Sequence, residues 1–394
     1  MKRRQLLQLA SSGAAALFGL HAPGWAQAAD NRAAGAADRI LVLVELKGGN
    51  DGLNTVVPSA DALYAQLRPT IAVAAGEVLR IDERTGLHPA LKPLLPLWED
   101  NELAIVQGVG YPQPNLSHFR SIEIWDTASN SGEYLGDGWL ARGMKAGLAP
   151  KGGFTAEGVR IGSSDLGPLV GARAVSLNNP ELFVDQARMA SSRSAQGNAA
   201  LQHLLRVEAD VSQAADGLRA ERHPFATSFP AGAFGNGIRA AAQVIASQRG
   251  RGGVPVLTLT LGSFDTHQNQ VNFHANLLRQ LAEGLLALRG AVTELGLWDR
   301  TLVMTFSEFG RRPRQNQSNG TDHGTAAPHF ILGGAVRGGL HGQAPDLSRL
   351  DGAQNLAFTT DFRQLYAAVA RDWWGVNPDS VVRGSFEPLR FLRA

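Results

Sequence analysis

The chain has 394 residues, 44% of them hydrophobic and 18% charged, so it can bury a sizeable core, and extensive disorder is excluded. Residues 1–28 carry three basic side chains and no acidic ones; subtracting them from the totals of 37 basic and 35 acidic residues leaves 34 against 35. This balance argues against nucleic acid or an anionic membrane surface as a partner. The absence of cysteine excludes disulfides and thiolate ligands, so a metal site would consist of His, Asp and Glu.

The N-terminus has the pattern of a twin-arginine export signal. Arg3 and Arg4 precede an apolar stretch over residues 6–20, and a small-residue cleavage pattern ends at Ala28. This pattern predicts a signal peptide at 1–28, a linker at 29–37, export of the folded protein by the twin-arginine translocase, and a periplasmic location. An ordinary secretory signal or a membrane anchor is the alternative, but the apolar stretch is short for a stable membrane span.

Two predicted buried strands in the first third of the chain each end in polar residues. Residues 39–46 form a continuous apolar run that leads into a glycine-rich loop around Asp51, which predicts either a cation ligand or an exposed turn. Residues 102–109 form the second run, and after a proline-containing loop Ser117 begins a predicted helix. Ser117 is therefore a candidate nucleophile at a helix N-terminus or an ordinary N-cap, and a cap would not require His118 and Arg120.

The middle of the chain is rich in Ala, Gln, Ser and Arg. Leucines and valine recur at roughly helical spacing over residues 186–222. This spacing predicts helix, either as a cap inserted over the site at 186–250 or as another helix flanking the sheet.

Two further strand ends carry metal-ligating residue types. The apolar run 254–261 opens into Asp265 and His267, whose side chains share a face if the segment stays extended. The run 301–306 is followed by Glu308, and the loop beyond it ends in Asp322 and His323. Because ligands collect at the carboxyl ends of strands in open α/β sheets, we expect chemistry at this edge.

Several stretches together resemble a known family, over nearly all of the mature length: the bacterial proteins grouped as domain of unknown function 1501. That family is similar to the alkaline phosphatase and sulfatase superfamily. The resemblance implies a single α/β domain over residues 38–394, built as a three-layer sandwich with a mostly parallel central sheet flanked by helices. The stretches that carry it are LKGGNDGLN at 46–54, LHPAL at 87–91, NLSHFRSIEIW at 115–125, DTH at 265–267, FSEFGR at 306–311 and GTDHG at 320–324.

The resemblance also implies roles for individual residues. It gives one metal to Asp51, Asp322 and His323, and a second metal to Asp265 and His267. The late histidine of the superfamily would be His329 or His341. Two departures stand out: Asp265 and His267 are spaced more closely than the superfamily's usual pair, and Ser117 lacks the proline of the sulfatase nucleophile signature.

The predicted function is an exported hydrolase of phosphate or sulfate esters that uses divalent cations (zinc, manganese, calcium or iron, two of them) and a metal-activated Ser117. Its substrate would be a small anionic ester or a sulfated or phosphorylated glycan. Arg120 or Arg311 would clamp the anion, with His118 nearby, while Glu308 would be a ligand, an acid/base group or the structural partner of Arg311. The alternative is a non-catalytic periplasmic binding protein with at most one structural metal.

Overall fold

A computed structural model describes residues 39–148, 156–177, 223–247 and 254–393. The predicted signal peptide, the linker and residues 178–222 therefore lie outside the described residues. Within the described ranges the strands are β1 Ile40–Leu46, β2 Val56–Val57, β3 Leu79–Arg80, β4 Gly86–Leu87, β5 Leu103–Gly110, β6 Gly158–Ile161, β7 Ala174–Leu177, β8 Val256–Leu261, β9 Thr301–Phe306, β10 Ala327–Leu332, β11 Gly339–Gly342 and β12 Thr360–Asp361.

The helices alternate with these strands along most of the chain. The α-helices of the described ranges are α1 Gly52–Thr55, α2 Ala62–Leu67, α3 Leu95–Glu99, α4 His118–Thr127, α5 Trp139–Gly143, α6 Ala233–Ser247, α7 Gln270–Glu294, α8 Phe362–Ala368 and α9 Pro378–Val382. Shorter 3₁₀ or π segments cover Pro89–Leu94, Met144–Leu148, Gly167–Leu169, Trp298–Arg300 and Val369–Trp373.

A mostly parallel sheet forms the centre of the molecule. Its strand order is β11-β5-β10-β9-β1-β8-β6-β7, with β12 pairing β5. Strand β1 lies between β8 and β9 and is parallel to both, whereas β10 is antiparallel to its two neighbours. All seven residues of β1 are buried, which explains why six of them are apolar with no alternation, Glu45 being the exception.

Helices cover both faces of this sheet. Val42 and Val44 of β1 belong to one hydrophobic core with residues of α6 and α7, while Leu41 and Leu43 belong to a second core with residues of α4, α5 and α8. Alternate residues of one strand thus supply two separate cores. The structure confirms the predicted α/β fold with a mostly parallel central sheet flanked by helices.

Helix α6 is the described part of the segment predicted as a helical cap. Its apolar face, including Phe234 and Ile238, joins the core formed with α7 and the sheet. This part of the segment flanks the sheet, while the cap predicted for residues 186–222 stays a prediction. Among the helices in the described ranges, none combines the length and the apolar character needed to cross a membrane.

Candidate metal centre

Parallel pairing brings three strand ends to one edge of the sheet. Because β8 and β9 flank β1 in parallel, the loops that follow all three strands emerge side by side. The loop after β9 then folds back on itself, and an isolated antiparallel bridge pairs Arg311 with His323. This backbone pairing returns His323 to the edge that carries Asp265.

Three side chains converge at this edge. One donor atom from each of His118, Asp265 and His323 lies within 4.8 Å of the other two. His118 Nε2 is 3.4 Å from Asp265 Oδ2, and His323 Nε2 is 3.2 Å from Asp265 Oδ1. Within the described residues this is the group with the donors and spacing for a metal ion. Two imidazoles and a carboxylate are a donor set of catalytic zinc sites and of non-heme iron sites.

His267 and Asp322 extend this cluster toward solvent. His267 Nε2 lies 3.0 Å from Asp265 Oδ1 and 3.0 Å from His323 Nε2, while His267 Nδ1 lies 3.3 Å from Asp322 Oδ1. Their side chains are 42% and 51% exposed, so the cluster opens to solvent and a ligand can reach it. The structure thus brings together Asp265, His267, Asp322 and His323, which the resemblance divided between two metals, and it places His118, predicted to lie near the anion, among them.

The two cluster histidines on α4 and the β9 loop have different surroundings. His323 Nδ1 lies 2.8 Å from the Leu116 carbonyl oxygen, so Nδ1 carries the proton and Nε2 faces the cluster. Burial lowers the pKa of His323, which favours the neutral ring that a cation requires. The hydrogen bond with Glu308 raises the pKa of His118.

Arg311 anchors the loops around the cluster. Its guanidinium is fully buried and donates to the carbonyls of Gly49 at 2.7 Å and Thr321 at 2.9 Å, as well as to those of Gly48 and Phe264. It also pairs with Asp265. Partial burial acts to raise the pKa of Asp265, but the Arg311 hydrogen bond and charge outweigh it, and the pKa is lowered. Arg311 therefore keeps Asp265 ionised instead of presenting free donors to a substrate.

Glu308 does not pair with Arg311, so one of the three roles predicted for it, structural partner of Arg311, is wrong. Its Oε1 lies 2.8 Å from His118 Nδ1 and accepts a hydrogen bond from the backbone N–H of Gly48 at 2.8 Å. The reason is geometric: the guanidinium of Arg311 turns toward the carbonyls of the neighbouring loops.

Asp51 lies outside the cluster in a separate buried network. Its Oδ2 is 2.6 Å from Arg68 Nη1 and accepts a hydrogen bond from Gln270, while Oδ1 has no hydrogen-bond partner in the described part of the chain. Burial acts to raise the pKa of Asp51, but the Arg68 charge and hydrogen bond outweigh it, so the pKa is lowered. The guanidinium supplies the positive charge that the sequence assigned to a metal. Nothing in the sequence pattern connected Arg68 or Gln270 with Asp51.

The late histidines also lie apart from the cluster. His329 is buried in β10, edge-on to the Trp125 ring at 5.2 Å between centroids, and burial lowers its pKa to about 3. His341 lies on β11, with Nε2 2.9 Å from the Arg337 carbonyl oxygen.

Ser117 and Arg120 bracket His118 at the start of α4. Ser117 is the N-cap residue, but its exposed side chain makes no capping hydrogen bond, which leaves the hydroxyl available for another role. Arg120 points elsewhere: it donates to the carbonyls of Asn130 and Ser131 and stacks 3.9 Å above the Tyr134 ring. Its contacts hold the loop after α4.

Fold and site together define an α/β protein with a candidate cation centre at the carboxyl ends of its parallel strands. The chain belongs to the family described as "Protein of unknown function (DUF1501)", whose model matches residues 105–385. This confirms the family resemblance seen in the sequence. Comparison with curated proteins found no match.

Three of the solved structures that match this chain do so at low sequence identity. The lipoteichoic acid synthase LtaP from Listeria monocytogenes is 10% identical, with a TM-score of 0.42 over 91% of this chain and 80% of that one. The PsFucS1 sulfatase from Pseudoalteromonas sp. is 10% identical, with a TM-score of 0.40 over 93% and 75%. Alkaline phosphatase from the Antarctic bacterium TAB5 is 12% identical, with a TM-score of 0.29 over 77% and 94%. Sequence identities and TM-scores this low say nothing about activity.

Proposed function

We propose that the protein is an exported, metal-dependent hydrolase of phosphate or sulfate esters. The observation that carries the proposal is the convergence of His118, Asp265 and His323, whose donor atoms lie within 4.8 Å of one another at the carboxyl edge of the sheet. Three protein ligands in a solvent-accessible site leave a coordination position for water or substrate, as in catalytic zinc centres. Export through the twin-arginine translocase to the periplasm is part of the proposal and rests on the N-terminal sequence.

The donor set favours a transition metal. Imidazole nitrogen is a common ligand of zinc and iron, and manganese binds carboxylate oxygen. Calcium, by contrast, takes oxygen ligands almost exclusively. The described cluster accounts for one tightly held cation. A second cation would use His267 and Asp322, whose Nδ1 and Oδ1 atoms face each other at 3.3 Å.

The chain's own residues suit an anionic ester. Helix α4 has ten residues, and its N-terminal backbone N–H groups and dipole favour negative charge beside Ser117. A bound cation would supply Lewis-acid stabilisation of charge on the ester oxygens. Ser117 Oγ would then form a bond to phosphorus or sulfur while the bond to the alcohol oxygen breaks and the serine proton passes to that alcohol. Water would afterwards hydrolyse the serine ester.

One observation favours the non-catalytic alternative. Arg68 holds Asp51 in an ion pair with no exposed side-chain surface on either partner, so Asp51 is not free to join Asp322 and His323 on the metal that the resemblance assigned to these three residues. A binding protein with a single structural cation fits this arrangement. Turnover separates the two functions.

The direct test is ester hydrolysis by the mature protein loaded with zinc, manganese or iron. We expect hydrolysis of p-nitrophenyl phosphate or p-nitrophenyl sulfate by wild type, a loss of at least ~100-fold in Asp265→Asn, and wild-type rates in Asp299→Asn, which changes an exposed aspartate just before β9, at the opposite edge of the sheet from the cluster. Ser117→Ala should bind the cation but lose turnover. Turnover retained in Ser117→Ala would instead make water the nucleophile. No turnover of either ester by cation-loaded wild type would favour the binding protein.

A further inference from the structure

Glu308 is a buried carboxylate beside the candidate metal centre. Its side chain is 2% exposed, and Oε1 lies 2.8 Å from His118 Nδ1. Within the described residues no lysine or arginine lies at ion-pair distance from Glu308, and His118 is the basic side chain that contacts it. Burial of a carboxylate is costly unless hydrogen bonds and a partner offset the lost hydration. The contact between Glu308 and His118 therefore indicates that the function of Glu308 involves His118.

The contact with Glu308 fixes which nitrogen of His118 carries the proton. Glu308 Oε1 already accepts the Gly48 N–H, so the same oxygen is an acceptor toward His118, and His118 donates from Nδ1. The lone pair then resides on Nε2, which lies 3.4 Å from Asp265 Oδ2 inside the cluster. His323 follows the same pattern, with Nδ1 facing the Leu116 carbonyl and Nε2 facing the cluster. Both rings thus present Nε2 to the same place.

A second contact holds the backbone of Glu308 against helix α4. Ser121, three residues after His118 on the helix, donates its hydroxyl to the backbone carbonyl of Glu308, and Tyr111 Oη lies 2.7 Å from Ser121 Oγ. On its other side, the Glu308 carboxylate accepts the Gly48 N–H from the loop after β1. The helix that carries His118 is therefore joined to the β9 loop at two points, and the carboxylate has little freedom to turn away.

We propose that Glu308 is a positioning residue that holds His118 in the Nδ1–H tautomer, with Nε2 directed at the bound cation. Outer carboxylates that accept the second ring proton of a metal-bound histidine orient the ring and strengthen its donation to the metal. The metal part of this assignment rests on the proposed function. The tautomer does not, because it can be measured in the metal-free protein.

The first experiment measures the tautomer by ¹⁵N NMR of the metal-free, full-length mature protein with labelled histidine. The His118 signals are assigned by their loss in His118→Ala. We expect the Nδ1–H form in wild type and a mixture, or the Nε2–H form, in Glu308→Met, where no acceptor remains. Glu308→Gln keeps a carbonyl acceptor and should preserve the Nδ1–H form. Retention of the Nδ1–H form in Glu308→Met would overturn the proposal.

The second experiment measures Zn²⁺ affinity by competition with a chromophoric chelator. We expect affinity to fall up to ~100-fold in Glu308→Met and roughly 10-fold in Glu308→Gln, the range typical of outer-shell partners. Glu45→Gln is the matched control, since Glu45 is equally buried on β1 but pairs with Arg160 and Thr260; its Zn²⁺ affinity should equal wild type.

The outcomes of the two experiments are distinguishable. Wild-type Zn²⁺ affinity in Glu308→Met would overturn the positioning role, and if Glu308→Met fails to fold, Glu308→Ala, which also removes the acceptor, replaces it in both experiments. If wild type itself binds no Zn²⁺, the proposed function fails, and the NMR experiment still decides whether Glu308 sets the His118 tautomer.

Discussion

At the scale of single residues, Arg311 connects the loops that form the metal centre. One fully buried guanidinium contacts carbonyl groups in the loops after β1, β8 and β9 and also pairs with Asp265. The planar fork of arginine suits this multiple donation, which the single ammonium group of lysine cannot reproduce. The position of Asp265 is thereby tied to the backbone of all three loops.

His329 gives a prediction for pH dependence. Its pKa in the folded protein, about 3, lies below the ordinary value of 6.5, and its buried Nδ1 has no hydrogen-bond partner in the described part of the chain. Protonation therefore favours the unfolded chain. The neutral His329 ring makes its full contribution to the unfolding free energy above pH 6.5, and this contribution is lost progressively as the pH falls toward 3.

The variant His329→Leu removes this titration while keeping a similar volume in the core. We expect the unfolding free energy of wild type, relative to this variant, to fall by about 2 kcal/mol between pH 7 and pH 5. Urea unfolding at both pH values measures it. The variant should also retain its bound cation, because His329 lies outside the cluster. An unchanged pH dependence, or loss of the cation, would contradict this placement.

The location of the site residues was predictable from sequence where they follow strand ends. Asp265, His267, Asp322 and His323 could be found because each follows an apolar run at a place where parallel strands share an edge. The partner of Asp51 could not: Arg68 lies 17 residues further along, and only the folded backbone brings the two together.

At the scale of elements, the strand-end loops pack so closely that two of them meet at a glycine. A Cβ at Gly320 would lie 2.2 Å from the backbone carbonyl carbon of His267 and 2.5 Å from the backbone nitrogen of Gln268. Neither atom can move without shifting the loop that carries His267. The glycine of the GTDHG stretch therefore permits the β9 loop to lie against the β8 loop.

Gly320→Ala should displace His267 and loosen the cluster. We expect the unfolding free energy to fall by about 1–3 kcal/mol, as for other overpacked sites, and Zn²⁺ affinity to fall as well. Gly352→Ala is the control, because a Cβ at that exposed glycine meets nothing within 4 Å, and its stability should stay within about 0.5 kcal/mol of wild type. Equal Zn²⁺ affinity and equal unfolding free energy in the two variants would contradict this, because the β8 and β9 loops could then move apart without any effect on either quantity.

The buried strands were the most predictable elements. Largely apolar runs correctly indicated β1, β5, β8 and β9. The direction of β10 was not predictable, because apolar composition is the same for parallel and antiparallel neighbours.

At the scale of the whole molecule, the order of strands determines where the metal centre lies. Strand β1 is first in sequence but central in the sheet, with β8 and β9 on either side. The residues of the cluster are consequently far apart in the chain, from His118 to His323, yet adjacent in space. Sequence spacing alone cannot supply this arrangement; the family resemblance grouped the strand ends at one site, but it paired His323 with Asp51 and assigned no metal to His118.

Cation binding by the mature protein tests the central claim most directly. Calorimetric titration of metal-free wild type with Zn²⁺ should show a tightly bound first equivalent. His323→Ala should bind it more than ~100-fold more weakly, exceeding the usual loss of an outer-shell partner, whereas His341→Ala, a histidine away from the cluster, should match wild type. Absence of tight binding in wild type, or equal affinity in His323→Ala, would contradict a metal centre at this edge of the sheet.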